Sequence, residues 1–325
     1  MNKLKKVGLT ALAGSLAAFS ANAAEMSVSG ATLVTYTTEH STETTGNPLG
    51  MKTNLAFTAS GEVNGYTVSY YQASQDQFAG TSSSSLTLDM GDMGSLIVDQ
   101  GFVSATGLGT IDDKTPTAAE EIWDGITASG LPGTGASGSV LSYKNTFSGV
   151  TGLVAMRKGS GGHINDGASS GTGGGAWDFV LTADGETLGI EGVEIGAGYG
   201  KADPALITSA EDKHTTMFVN YTAGPVSFGV GVSKIDIGLG STADTEARNW
   251  GVAFNVNDNL SVSYGSRDVE FNTGGTIVDE ETSGVAIAYT MGSIKIAGNR
   301  NEQENAGGSS GTDDAMTEIA LSFAF

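Results

Sequence analysis

Apolar and polar residues alternate along short stretches of the chain, most regularly in its second half. The run 226–233 has valine or phenylalanine at every even position and serine or glycine at every odd one. The runs 249–256, 260–265, 285–291 and 318–325 repeat this period of two. Because successive side chains of a β-strand point to opposite faces, the pattern predicts strands with one apolar face and one small or polar face.

The same pattern along the whole chain predicts sixteen strands. They cover residues 26–38, 51–60, 65–73, 82–90, 94–101, 138–147, 150–158, 175–184, 192–201, 212–222, 225–235, 247–257, 259–268, 282–291, 293–302 and 314–325. Many approach the roughly 9–11 residues that a tilted strand needs to cross a bilayer, whereas globular strands more often have about 5–6.

Connections between these strands are alternately short and long. Even-numbered strands end in tight turns, of which only 185–191 is longer, and odd-numbered strands end in longer polar segments. Alternation of residues alone also fits a soluble sandwich, but alternating connection lengths are typical of outer-membrane barrels. The predicted fold is therefore all-β: a transmembrane antiparallel up-and-down barrel of about sixteen strands, with both termini at the short-turn end.

The first residues resemble an export signal. Lys3, Lys5 and Lys6 precede a short apolar stretch, and Ala21-Asn22-Ala23 is a small-x-small cleavage site. We predict a cleaved secretory signal peptide at 1–23 and a single barrel domain at 24–325, since no change of composition divides the remainder. The alternative is an uncleaved amphipathic N-terminal helix.

Charge and composition narrow the function. Removal of residues 1–23 takes away three of the 15 Lys and Arg and none of the 36 Asp and Glu, so the net charge changes from −21 to −24. So acidic a chain should not bind nucleic acid, which needs Lys and Arg against phosphates. It should favour cations in any aqueous path that it lines. A mean hydropathy near zero is compatible with a barrel, whose apolar face takes only every second residue.

One connection is much longer than the others. It runs from Gly101 to Gly138, follows the fifth strand and is thus the third external loop. Connections of this length are usually functional or disordered. We expect it to fold into the barrel and narrow the lumen, with a short helix from Thr115 to Asp124; the alternative is an external surface loop. Its acidic residues are Asp112, Asp113, Glu120, Glu121 and Asp124.

Taken together, these features resemble the general, usually trimeric porins of Gram-negative outer membranes. The resemblance rests on the signal ending Ala21-Asn22-Ala23, the start Glu25–Gly30, sixteen strands with a long third loop, and a last strand ending at Phe325. It implies a homotrimer in outer-membrane lipid, recognition of Phe325 by the barrel-assembly machinery, and third-loop acids facing basic wall residues. The family's Pro-Glu-Phe-Gly-Gly type run is replaced by Thr115–Glu121.

The position of each basic residue within its strand predicts whether its side chain faces the lumen or the lipid. A charge facing lipid at midplane costs about 2–4 kcal/mol for Arg or Lys, so charged side chains are expected to point inward. The predicted lumen-facing cations are Lys52, Lys144, Arg157, Arg267 and Lys295. Lys52 and Lys144 are the pair expected to oppose the acids of the loop.

Other functional classes have weaker support. The run Gly133–Gly138 matches a dinucleotide-binding pattern but precedes a strand instead of opening a helix. Only three His and no Cys are present, so we predict no enzyme and no cofactor, with a structural calcium ion in an acidic loop left open. The predicted function is passive diffusion of small hydrophilic solutes and ions, with cation preference. The alternatives are a substrate-selective channel and, with less support, an outer-membrane enzyme or adhesin.

Overall fold

The structure is a computed structural model that describes residues 25–39, 48–74, 81–99, 107–126, 140–157, 175–203, 211–238, 244–272 and 277–325. The predicted signal peptide at 1–23, both ends of the long third connection, and the glycine pattern at 133–138 lie outside the described residues.

Sixteen strands form within the described residues, as the alternation predicts. They are β1 (Glu25–Glu39), β2 (Leu49–Val63), β3 (Tyr66–Ser74), β4 (Thr81–Asp89), β5 (Ser95–Asp99), β6 (Val140–Phe147), β7 (Val150–Arg157), β8 (Ala176–Asp184), β9 (Val193–Ala202), β10 (Asp212–Ala223), β11 (Val226–Asp236), β12 (Asp244–Asn255), β13 (Leu260–Asn272), β14 (Glu280–Met291), β15 (Ile294–Glu304) and β16 (Asp314–Ala324). A one-turn helix, α1 (Gly185–Leu188), joins β8 to β9.

Every strand pairs antiparallel with its neighbours in sequence, and β1 pairs with β16 to close the barrel. The closing register runs from Ala31 opposite Ala324 to Glu39 opposite Met316. Gly30 and Phe325 extend it by exchanging two backbone hydrogen bonds of 2.9 Å. Closure removes the unpaired edges that an open sheet would present. The predicted all-β barrel is therefore confirmed.

The two faces of the wall differ as the period of two requires. On β10, Met217, Val219 and Tyr221 are about half exposed, whereas Thr216 and Phe218 are buried. We call the face with exposed apolar side chains the outer face and the opposite one the inner face. Aromatic pairs such as Trp177 with Tyr199 lie on the outer face, with ring centroids 5.9 Å apart. Among the described residues, no helix has the length and apolar character needed to cross a membrane.

Tight turns collect at one end of the barrel, together with both ends of the described chain. Asn64-Gly65 and Ser148-Gly149 are two-residue turns in which both residues have positive φ, between 49° and 84°. Such turns match the right-handed twist of a hairpin. Some strands are longer than the alternation predicts: β2 continues to Val63, next to a tight turn, and β13 continues to Asn272, toward a long connection, beyond the predicted 60 and 268.

Candidate functional site

Residues 107–126, the described part of the connection between β5 and β6, run across the inner face; we call this segment the strap. At its start, Leu108 and Ile111 are buried against side chains of four strands. These wall residues are Val140, Leu153, Ala155, Val180 and Phe218. At its end, Gly125 lies against the side chain of Met316 on β16. The strap therefore spans the wall from β6 to β16.

Polar side chains of the wall hold the strap backbone at successive points. Asn220 on β10 donates to the carbonyl of Lys114 at 2.7 Å, and the amide of Ala118 donates to Ser263 Oγ on β13 at 2.9 Å. Asn301 on β15 donates to the carbonyls of Glu121 and Asp124. Because each of these three wall residues has the parity of the inner face, the strap lies on the side opposite the exposed apolar residues.

Glycines of the inner face provide the space for this close approach. A Cβ at Gly229 would lie 2.5 Å from Pro116 Cδ, and one at Gly251 would lie 2.9 Å from the carbonyl oxygen of Pro116. At Gly284 it would lie 3.0 Å from Ile122 Cγ2. Cβ atoms rarely sit this close to backbone or to packed side chains, so a larger residue at these positions would force the strap or the wall side chains that hold it to shift.

The predicted helix from Thr115 to Asp124 is wrong. The strap contains one 3₁₀ turn, Gly107–Thr110, and then bends and turns as far as residue 126. The physical reason is the wall: its Asn and Ser side chains satisfy backbone groups that a helix would satisfy internally. An isolated helix of this length is also marginal in water.

Half-burial raises the pKa values of four of the five strap acids. Burial raises the pKa of Asp112 to about 6. Burial raises the pKa of Asp113 to about 7, helped by the negative charge of Glu121 and a hydrogen bond with it. Burial also raises the pKa of Glu120 and of Asp124, and nearby acids add to both shifts. The five predicted acids are thus gathered on one strap, where they repel one another.

Two of the predicted wall cations lower the pKa values of strap acids. The charge of Lys52 on β2 lowers the pKa of Asp124, and that of Lys295 on β15 lowers the pKa of Glu120, against the larger effect of burial. Lys144 is exposed on the inner face of β6 but is not among the charges that shift these pKa values. The opposing pair expected from sequence was Lys52 with Lys144; the structure brings Lys52 and Lys295 within electrostatic range of the acids.

The two predicted arginines have different surroundings. Arg157 is half-buried at the end of β7. Arg267 has the predicted inner-face parity but no exposed surface. Its guanidinium carbon lies 5.2 Å from the ring centroid of Trp123, and its Nη2 lies 3.9 Å from Oε1 of Glu280 on β14. The odd or even position of a residue along a strand predicts which face its side chain is on, but not which other residues cover that side chain.

Sequence reasoning missed the residues that position the strap, namely Asn220, Ser263, Asn301 and the glycines beneath it. A signal was present, because the even-numbered apolar positions of β11 and β12 alternate with Gly229 and Gly251. Small residues on the inner face of consecutive strands could have indicated a docked segment.

Space remains beside the strap. A cavity of about 870 Å³ lies between it and the turn that contains α1, and is lined by Lys114, Asn220, Glu194 and other polar residues. Tyr71 on β3 is 37% exposed on the inner face, whereas Phe218 is buried beneath the strap. Among the described residues, no group of three His, Asp or Glu is arranged to hold a metal ion.

Comparison with solved structures shows the porin fold. A porin refined at 1.8 Å resolution matches with a TM-score of 0.65 and 14% identity, over 93% of this chain and all of that one. A loop-deletion mutant of OmpT, an outer membrane protein of Vibrio cholerae, matches with a TM-score of 0.66 and 13% identity, over 93% and 100%. Salmonella typhi OmpF in complex with daunomycin matches with a TM-score of 0.65 and 11% identity, over 94% and 99%. No protein-family model and no curated protein matches the chain in sequence.

Proposed function

We propose that this chain forms a water-filled channel in a bacterial outer membrane, through which small hydrophilic solutes and ions diffuse passively. The observation that carries the proposal is the closed barrel of sixteen strands, apolar outside and polar inside, with an acidic strap along its inner face. A barrel of eight strands fills with side chains, whereas one of sixteen encloses an aqueous lumen.

The strap sets the narrowest part of this lumen. Its contacts follow β6 to β16, and Lys52 on β2 exerts its charge on Asp124 across the remaining gap. Solutes pass between the strap acids and the part of the wall that carries Lys52. Opposed charges on two sides of a narrow ring create a transverse field that orients water and filters ions.

Cations are the preferred ions. The strap carries Asp112, Asp113, Glu120, Glu121 and Asp124, and the chain has more than twice as many Asp and Glu as Lys and Arg. A low-dielectric channel lined by one sign of charge concentrates ions of the opposite sign. The pKa of Asp113, raised to about 7, leaves this acid only partly charged near neutral pH.

Planar-bilayer recording of the refolded protein tests this function. We expect discrete conductance steps and, in a potassium chloride gradient, a reversal potential of the sign for cation preference. The Glu120→Gln/Asp124→Asn variant should reduce that potential, while Asp258→Asn, in a tight turn away from the strap, should leave it unchanged. Absence of steps from a correctly folded barrel would contradict the channel, and anion preference would contradict the selectivity.

The surroundings of the barrel follow from the same proposal. Its partners are outer-membrane lipid at the outer face and two further copies in a homotrimer, with Phe325 as the signal for the assembly machinery and no cofactor. The ring of Phe325 is 67% exposed beside the closing strand pair, so a recognising protein can reach it. Gel migration of unheated and heated samples tests the trimer, and deletion of Phe325 should reduce the amount assembled.

A substrate-selective channel is the second candidate, since Tyr71 presents an aromatic ring to the lumen. One ring is not the series that guides a sugar or peptide along a wall, and Phe218 is covered by the strap. Current that saturates with one solute, or is blocked by it, would favour selectivity over simple diffusion.

A further inference from the structure

The wall contains a buried ion pair that passive diffusion through the lumen does not require. Arg267 on β13 and Glu280 on β14 lie on the inner face with no exposed surface, and their nearest charged atoms are 3.9 Å apart. Removing two charges from water is expensive, and well-packed apolar residues often stabilise a protein as well or better. The stability of the barrel alone therefore does not explain the pair.

Three segments of the chain meet at this pair. The ring of Trp123, from the strap, lies 5.2 Å from the guanidinium carbon of Arg267, within the range of a cation–π contact. Glu280 Oε2 accepts a 2.8 Å hydrogen bond from the amide of Gly307, in the long connection between β15 and β16. The pair thus joins the strap to another long connection at the same end of the barrel.

Residues on both sides of Trp123 are also fixed. The amide of Asn301 binds the carbonyls of Glu121 and Asp124, at 3.1 and 2.8 Å. Ile122 occupies the space above Gly265 and Gly284. Segment 121–124 is therefore the second fixed end of the strap, opposite the apolar contacts of Leu108.

We propose that Arg267 is a positioning residue of the channel: held by Glu280, it docks Trp123 and so determines where Glu120, Glu121 and Asp124 stand in the lumen. This inference rests on the proposed function. It assigns Trp123, Arg267 and Glu280 to one unit, which we call the anchor, and Gly307 links the anchor to the last long connection. Loss of the anchor frees the acidic half of the strap while the barrel remains closed.

Single-channel recording tests the anchor through gating. Trp123→Ala should raise the frequency of spontaneous current transitions by about 5- to 30-fold, the factor that corresponds to loss of one or two kcal/mol of docking free energy. Trp123→Phe keeps an aromatic face and should remain close to the unaltered chain. Trp177→Ala removes the same side chain from the outer face of β8 and serves as the matched control.

The apolar double variant Arg267→Met/Glu280→Leu removes both charges together and avoids an isolated buried charge. Its frequency of spontaneous current transitions should equal that of Trp123→Ala. Combining all three changes should not raise this frequency further, because they disable one unit. The midpoint of thermal unfolding, followed by β-sheet circular dichroism, should stay the same. An unchanged frequency of current transitions in both Trp123→Ala and the double variant would overturn the proposal. So would an increase that appears only together with a lowered unfolding midpoint.

A fluorescence readout separates failure of the anchor from failure of the channel. The sequence has three tryptophans, so the Trp177→Phe/Trp250→Phe background leaves Trp123 as the only one. Adding Arg267→Met/Glu280→Leu should increase acrylamide quenching of Trp123 in detergent, whether or not the protein conducts. Unchanged quenching would overturn the anchor; increased quenching in a protein without conductance would support the anchor and overturn the proposed function.

Discussion

The side-chain amide of Asn301 donates a 2.8 Å hydrogen bond to the backbone carbonyl of Asp124. The two residues are 177 positions apart in sequence, one on the barrel wall and the other on the strap. Asn301 is almost fully buried and also binds the carbonyl of Glu121. One wall amide therefore fixes the backbone that carries two of the lumen acids.

Asn301→Asp should release this part of the strap. A carboxylate offers no donor to the two carbonyls, and a buried polar group left without its partner costs about 1–3 kcal/mol. We expect more frequent current transitions and a broader distribution of conductance levels in planar bilayers. Asn54→Asp, on the inner face of β2, introduces the same charge and should leave the transitions unchanged; equal noise in both variants would point to added charge as the cause.

Gly251→Ala should push the strap away from the wall. The new Cβ would lie 2.9 Å from the carbonyl oxygen of Pro116 and 3.3 Å from Thr115 Cβ. Overpacking of this kind costs roughly 1–3 kcal/mol, and the strap yields more readily than the hydrogen-bonded strand. The expected result is a changed conductance step with an unchanged unfolding midpoint. Gly298→Ala is the control, because its Cβ would have no neighbour closer than 3.5 Å; equal steps in both variants would contradict close docking.

The barrel was predictable because its strands and turns are determined by residues that are close together in the sequence. Alternation at 226–233 determines both the strand and the face of each side chain, and turns such as Asn64-Gly65 determine which strands pair. Strand order then follows, since consecutive antiparallel strands joined by short turns become neighbours. The five acids could be found in the same way, because a long polar segment with apolar residues marks an unusual connection.

The path of the strap was not predictable because its information is distant. Its backbone partners, Asn220 and Asn301, stand 106 and 180 positions away from the carbonyls of Lys114 and Glu121. The local features of Thr115 and Pro116 favour a helix start, and the wall overrides them. Burial of Arg267 has the same origin, because it depends on Trp123, which no periodic pattern places above it.

Val230→Arg should destabilise the protein in a membrane-like environment. Val230 is 39% exposed in the middle of the outer face of β11, and Arg or Lys facing lipid at midplane costs about 2–4 kcal/mol. We expect a lower yield of refolded barrel in lipid vesicles and a lower denaturant midpoint. Asn54→Arg places the same side chain on the exposed inner face of β2 and should refold normally. A reversed order of the two variants would mean that the faces are exchanged.

The pKa values of Asp112 and Asp113, about 6 and about 7, predict how the channel responds to pH. Both are raised above 3.8 because burial disfavours the charged form, so docking of the strap is favoured when these acids are protonated. That contribution is complete below the unshifted value and is lost as pH rises through about 6 and then about 7. Deprotonation over the same range adds negative charge to the lumen.

Cation preference should therefore increase, and the strap should become more mobile, as the pH of a planar-bilayer experiment rises from about 5 to about 8. Asp113→Asn removes the group with the higher pKa and relieves its repulsion with Glu121, so the upper part of the pH response should disappear and current transitions at pH 8 should decrease. Asp258→Asn, in a tight turn, should keep the full response. A reversal potential that stays constant over this range in the unaltered chain would show that the strap acids do not face the ion path.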